Sequence, residues 1–192
     1  MKEEIYRFTD RESCRAFLEK VTAEKIFHIT RYSHFRSIVS DGYIRGGKNP
    51  EQNWPSYSSL FISMGCVCLI NNKESYRIDM PKENASIHAG NFQFSSPNFV
   101  AGYYGRNPVF LILADNIAVD LVSWKTWKDE ERHRKEKVVA YYEAGYKGNL
   151  PISKIESALI LELDFPEEGG LAGILKASRE NMISLRRKKD NP

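Results

Sequence analysis

Three segments, far apart in the chain, hold residue types that could grip a ligand and act on it. The first is Phe27-His28-Ile29-Thr30, an apolar strand pattern that delivers a histidine just before a helix ending at Gly42. The second is Phe92-Gln93-Phe94-Ser95-Ser96-Pro97, followed by Ala101-Gly102-Tyr103-Tyr104-Gly105 and then PVFLIL. The third is Tyr141-Tyr142-Glu143-Ala144-Gly145-Tyr146, followed by LPISKIESALIL. Aromatic faces stack planar ligands. A carboxylate placed where positive charge develops stabilises a transition state more than a ground state.

Taken one at a time, these residues have plainer readings. His28 on an apolar strand fits a satisfied core histidine, Glu143 a solvated helix end, and Tyr103 and Tyr104 ordinary packing. The functional reading rests on all three occurring in order with the right flanking strands. Other chemistry is weaker. Cys14, Cys66 and Cys68 are odd in number, and C-x-C plus one distant cysteine is neither a disulfide framework nor zinc spacing. Asp115 and Asp120 with nearby glutamates suggest a Mg²⁺-dependent nuclease, but they lack a dedicated ligand spacing.

The elements that must position these residues are mixed in order. Residues 10–24 carry Phe17, Leu18 and Val21 at helical spacing, with Asp10 as the cap. KIFHIT reads as a strand. Ser33 then caps a helix with Phe35, Ile38 and Val39 on its apolar side and Gly42 at its end. Residues 45–58, with Arg45, Lys48 and Trp54, read as a long loop suited to a lid or strand guide. LFISMGCVCLI predicts a buried strand or a strand pair bent at Gly65. A strand at 91–95 leads through Pro97 into the helix NFVAGYY. PVFLILA is the clearest strand, residues 124–142 read as a charged helix, a further strand lies near 157–163, and a last helix spans 170–186. Strict βαβ units are missing, so the expectation is α+β.

Length and composition fit one domain over residues 1–192. The chain has 42% hydrophobic and 28% charged residues, enough to bury a core without staples. The net charge of +3 is too small to announce a nucleic-acid binder by itself. Arg186, Arg187, Lys188 and Lys189 form a basic tail within 170–192. No signal peptide and no membrane-spanning apolar run is read, so the expectation is a soluble cytoplasmic protein with no membrane partner.

The order of the three segments resembles the ADP-ribosyltransferase superfamily of the His-aromatic-Glu type, nearest to the DarT-like toxins that modify nucleic acid. FHITRYSHFRSIVSDGYI is similar to that family's opening, FSSPNFVAGYYG to its middle motif, and EAGYKGNLPISKIESALI to its ending. The likeness covers about residues 25–163. It implies a split β-sheet core with flanking helices, NAD as co-substrate and no metal. It also implies roles: His28 binds an NAD ribose hydroxyl, with Ile29 and Thr30 beside it. Phe94, Ser95, Tyr103 and Tyr104 hold the nicotinamide end, Tyr104 preferred for stacking. Glu143 orients the reacting ribose or deprotonates the acceptor. The middle position, often Tyr in the family, falls on Gln93, Phe94 or Ser95. Glu130 and Glu136 are alternatives to Glu143, and Glu156 a lesser one.

The same resemblance implies a nucleic-acid base, in DNA or RNA, as acceptor of a single ADP-ribose, and a separate antitoxin or reversing hydrolase as partner. Arg45, Tyr141, Tyr142, Tyr146 and Lys147 are the candidate acceptor-binding residues. Tyrosines around Glu143 suit stacking of an exposed base, and a base must be accessible to be attacked, which favours single strands. Lys125, Lys128, Arg132, Arg134, Lys135 and Lys137 could neutralise phosphate, but Asp129, Glu130, Glu131 and Glu136 interleave them, so a solvated salt-bridge face fits at least as well. The alternative function is a non-catalytic module on a degenerate transferase fold that binds nucleic acid or a partner.

Overall fold

The computed structural model describes residues 1–47, 65–73, 96–122 and 143–165. The expected strand at 91–95, the charged helix at 124–142, the last helix at 170–186 and most of the 45–58 loop lie outside these residues.

The chain opens with β1 (Lys2–Phe8), whose residues alternate between exposed and half-buried. Asp10 then takes an extended conformation and its side chain accepts the Ser13 N–H at 2.8 Å, satisfying one donor that a helix start leaves open. Helix α1 (Arg11–Thr22) follows and buries Cys14, Leu18 and Thr22, one helical face at spacing four. Strand β2 (Ile26–Arg31) is covered on both sides over most of its length. Helix α2 (Tyr32–Asp41) starts directly from that strand, with Arg31 rather than Ser33 at the cap and no side-chain cap bond. It ends as expected at Gly42, whose left-handed φ of 81° lets its N–H reach the Ile38 carbonyl.

A two-residue strand β3 (Tyr43–Ile44) precedes Gly65, which turns with φ 77° into β4 (Cys66–Asn71). Helix α3 (Pro97–Tyr104) has proline in its first turn. Strand β5 (Pro108–Leu113) is buried at all six positions. After a 3-10 turn (Asp115–Asp120) come β6 (Leu121–Val122), β7 (Glu143–Lys147), β8 (Leu150–Pro151) and β9 (Ile155–Leu163).

Seven strands form one mixed sheet in the order β1-β9-β5-β2-β4-β7-β6, and β3 pairs with β8 separately. Only β1 and β9 run parallel; the other pairs are antiparallel. With helices on the sheet, this is the α+β class the sequence suggests. Strand neighbours point to opposite faces, and two apolar layers result. One holds Ile26, Leu69, Leu111 and Ile160 against Phe35 and Ile38 of α2. The other holds Phe27, Ile70, Phe110 and Leu161 against Cys14 and Leu18 of α1 and Val100 of α3. Each fully buried Phe or Leu in these layers stabilises the fold by about 1.5–3 kcal/mol.

The sheet is continuous except in one place. Strands β2 and β4 pair at Ile26–Asn71 and Phe27–Ile70 only. Beyond that point β2 stays bonded to β5 out to Arg31, and β4 stays bonded to β7 back to Cys66. Residues 28–31 and 66–69 therefore have no ladder to each other. The sheet parts into one wing of β1, β9, β5 and β2 and another of β4, β7 and β6.

Candidate functional site

His28 is the first residue of β2 past the last paired row, at the vertex of the parting. Its ring is half-buried, and Nδ1 lies 2.9 Å from the Cys68 carbonyl oxygen on the opposite lip. A carbonyl can only accept, so Nδ1 carries the hydrogen and Nε2 of the neutral ring is left as an acceptor. Burial lowers the imidazole pKa below its ordinary 6.5; the bond to Cys68 partly opposes this, and the nearby His34 on α2 adds to it. His28 is thus held neutral at pH 7 in one tautomer. The ring thereby ties β2 to the Cys68 carbonyl just beyond the last paired row of β2 and β4. A histidine bonded into the structure keeps a second ring nitrogen, because the structural bond uses only one.

Glu143 heads β7, two strands from β2. It pairs with Ile70, which in turn pairs with Phe27. The backbones of His28 and Glu143 thus sit in neighbouring cross-strand rows, roughly 10 Å apart given strand spacings of about 4.8 Å. A strand start, not a solvated helix end, is the setting of this glutamate. The row it shares is that of Phe27 and Ile70, whose side chains lie in the layer of α1 and α3. Alternation puts His28 on the pleat of Ile26, toward α2. By this alternation His28 and the row of Glu143 belong to opposite pleats of the sheet, on either side of the β2–β4 parting.

The other expected residues divide. Ile29 is buried in the α1/α3 layer and Thr30 is buried on β2, paired with Val109 of β5. Tyr104 packs against the α1/α3 layer, and the Tyr103 ring lies over Phe99 at 4.5 Å. The Arg31 guanidinium donates to the Tyr103 carbonyl at 3.2 and 3.3 Å, tying the end of α3 to the end of β2. The structure therefore brings the two tyrosines to the layer of the Phe27–Ile70 row and not to the α2 side, where His28 lies. Phe94, Ser95, Tyr141 and Tyr142 fall outside the described residues, as do Gln93, Glu130 and Glu136.

The segment that follows Arg45 reaches the end of the β4 wing at which Lys147 lies. Gly47 donates to the Cys66 carbonyl at 3.2 Å, and Cys66 pairs with Lys147. Both basic residues are exposed, and Arg45 is bonded to Asp41 at 3.0 Å. Tyr146 is half-buried against the α2 layer. This end is held by close backbone contact: Gly46 donates to Asn149 Oδ1 at 3.1 Å and Gly148 to the Gly65 carbonyl at 2.9 Å.

The three cysteines are unbridged, with burial pushing the Cys14 thiol up to about 12 and raising Cys66 as well. Asp115 is paired with Lys73 at 2.9 Å and Asp120 with Lys154 at 3.1 Å. Among the described residues no group of three His, Cys, Asp or Glu could hold a metal ion, and no helix is long and apolar enough to cross a membrane. The sequence reading missed the parting itself and the Cys68 carbonyl. The only signal available was the buried strand CVCLI, whose register no local pattern fixes.

No family model, no curated protein and no solved structure matches this chain.

Proposed function

We propose that this chain is an NAD-consuming mono-ADP-ribosyltransferase that binds NAD at the parting of β2 and β4 and transfers one ADP-ribose to a base of single-stranded DNA or RNA. The observation that carries the reading is His28: a neutral imidazole at the vertex of a parted sheet, with Glu143 heading the second strand away. Among the described residues no strand ladder joins 28–31 to 66–69 across the parting, where a ligand with hydroxyls and an amide can meet the backbone.

In this reading His28 Nε2 accepts a hydrogen bond from an NAD ribose hydroxyl. The bond from ribose C1′ to the nicotinamide nitrogen breaks, and nicotinamide leaves with the electron pair as a neutral ring. Positive charge grows on the sugar, and the Glu143 carboxylate stabilises it. A ring or exocyclic nitrogen of the acceptor base forms the new bond to C1′, and its proton passes to Glu143 or to water. Arg45 and Lys147, both exposed, suit the acceptor's phosphates. An enzyme of this kind acts as a toxin or a phage-defence effector in the cytoplasm, and a separate antitoxin protein restrains it.

The packing of Tyr103 and Tyr104 within their own layer favours a second reading, a module that binds without catalysis. One experiment separates the two. Protein is incubated with NAD labelled in the adenylate and with single-stranded DNA, single-stranded RNA or cell lysate. Label on nucleic acid that disappears in Glu143→Ala supports transfer. Retention of NAD or nucleic acid without nicotinamide release supports the binding module. Label on protein alone keeps the transferase and overturns the acceptor.

A further inference from the structure

Among the described residues, strand β1 lies at one end of the seven-stranded sheet and pairs only with β9, so no other described strand lies along its outer edge. Such an edge is a template for another strand, and many proteins blunt it with charge. The charges here are arranged in a particular way. Ile5, 66% exposed, stands at the centre of Lys2–Phe8. Glu3 lies two residues before it and Arg7 two residues after, both exposed and on the same pleat. On the other pleat Glu4 and Tyr6 flank Ile5 symmetrically, and Tyr6 already donates to Glu4 at 2.6 Å.

We propose that β1 pairs antiparallel with β1 of a second copy of this chain, about a two-fold axis through Ile5. That register sets Ile5 against Ile5, Glu3 against Arg7 twice, and Glu4 against Tyr6 twice. Shifting it by two residues in either direction ruins the match: one shift opposes Glu4 with Glu4, the other buries Ile5 under Arg7. Charges meant only to repel a partner would not need opposite signs at symmetric distances from an exposed isoleucine. Arg7 can serve a partner while keeping its own contact. Glu162 on β9 uses its Nε at 2.9 Å and Nη2 at 2.8 Å, which leaves Nη1 for the second copy. A two-fold pairing is closed, so it yields a dimer with one sheet running through both copies, not a fibre. The inference is independent of the transferase reading.

The test is sedimentation of the full chain with paired charge variants. The wild-type chain should reach twice its 22.1 kDa mass with rising concentration. Glu3→Arg alone and Arg7→Glu alone each oppose like charges twice, and each should self-associate roughly tenfold more weakly. Mixed together, they restore both attractions and should form a heterodimer. Oxidation of Ile5→Cys should give a disulfide-linked dimer, whereas Arg7→Cys should not. A wild-type chain that stays monomeric to high concentration overturns the proposal. So does a dimer that both charge variants leave intact, or a mixture that associates no better than its parts.

Discussion

The His28 ring bridges the two lips of the parted sheet: its Nδ1 lies 2.9 Å from the Cys68 carbonyl oxygen, one residue beyond the last row that joins β2 to β4. This bond fixes the tautomer, turns Nε2 into an acceptor, and marks where the two wings separate. Removing the ring should therefore act on stability and on binding at once. In His28→Ala we expect a loss of about 0.5–1.5 kcal/mol, the net value of a hydrogen bond that ties the two lips together, together with a loss of NAD binding. His28→Asn restores a donor and should recover part of the stability but little of the binding. Chemical denaturation and calorimetric titration with NAD separate the two effects.

The pH dependence follows from the same ring. Its folded pKa lies below the ordinary 6.5 because burial disfavours the cation. The unfolded chain therefore binds the proton more readily, and stability rises with pH through the window between the two values. The His28 contribution is fully present above about 6.5 and is lost as pH falls toward the folded value. Denaturation midpoints measured from pH 8 to pH 5 should show this loss, and His28→Gln should flatten it. Binding of NAD should hold through this window and weaken only at lower pH, where the folded ring itself takes up a proton and loses its acceptor nitrogen.

Gly46 sits where a side chain has no room. A Cβ there would come within 2.1 Å of the Gly148 carbonyl oxygen and 2.7 Å of the Gly65 carbonyl oxygen, both backbone atoms that cannot swing aside. Gly46→Ala should cost about 1–3 kcal/mol through overpacking. Because this contact anchors the segment that follows Arg45, acceptor binding should weaken more than NAD binding. Thermal unfolding and separate titrations with NAD and single-stranded oligonucleotide check both parts.

Tyr104 provides a test of packing against stacking. Its ring lies against the α1/α3 layer, so Tyr104→Phe should keep both fold and activity, while Tyr104→Ala should lower stability by about 2–4 kcal/mol, in the range of large-to-small core changes. Steady-state nicotinamide release and unfolding, measured on both variants, decide the point. Activity lost in the phenylalanine variant at unchanged stability would return a direct role to the hydroxyl.

Much of the fold can be read in the residues. Asp10 announces α1, Gly42 ends α2, Pro97 starts α3, and PVFLIL is an unmistakable buried strand, since each depends on local chemistry. What could not be read depends on partners far away in the chain. Strand β1 alternates weakly and earns its place only by running beside β9 at the other end of the sequence. The short strands β3 and β8 exist because each has the other. At the site, His28 was legible as a residue type on a strand, but the bond that orients it comes from a carbonyl, which no sequence pattern displays. Glu143 looks like a helix end after a charged run and turns out to head a strand, because β4 offers it an edge. Tyr103 and Tyr104 show the opposite limit: a motif can be present while its rings are used for packing.

The central claim is that the parting between β2 and β4 holds NAD and breaks its glycosidic bond. Its most direct test is nicotinamide release from NAD, followed over time with and without single-stranded nucleic acid. We expect release that the acceptor stimulates, and that falls at least on the order of 10²-fold in Glu143→Gln with the fold unchanged. Release that persists undiminished in Glu143→Gln, or no release with any acceptor, would contradict it.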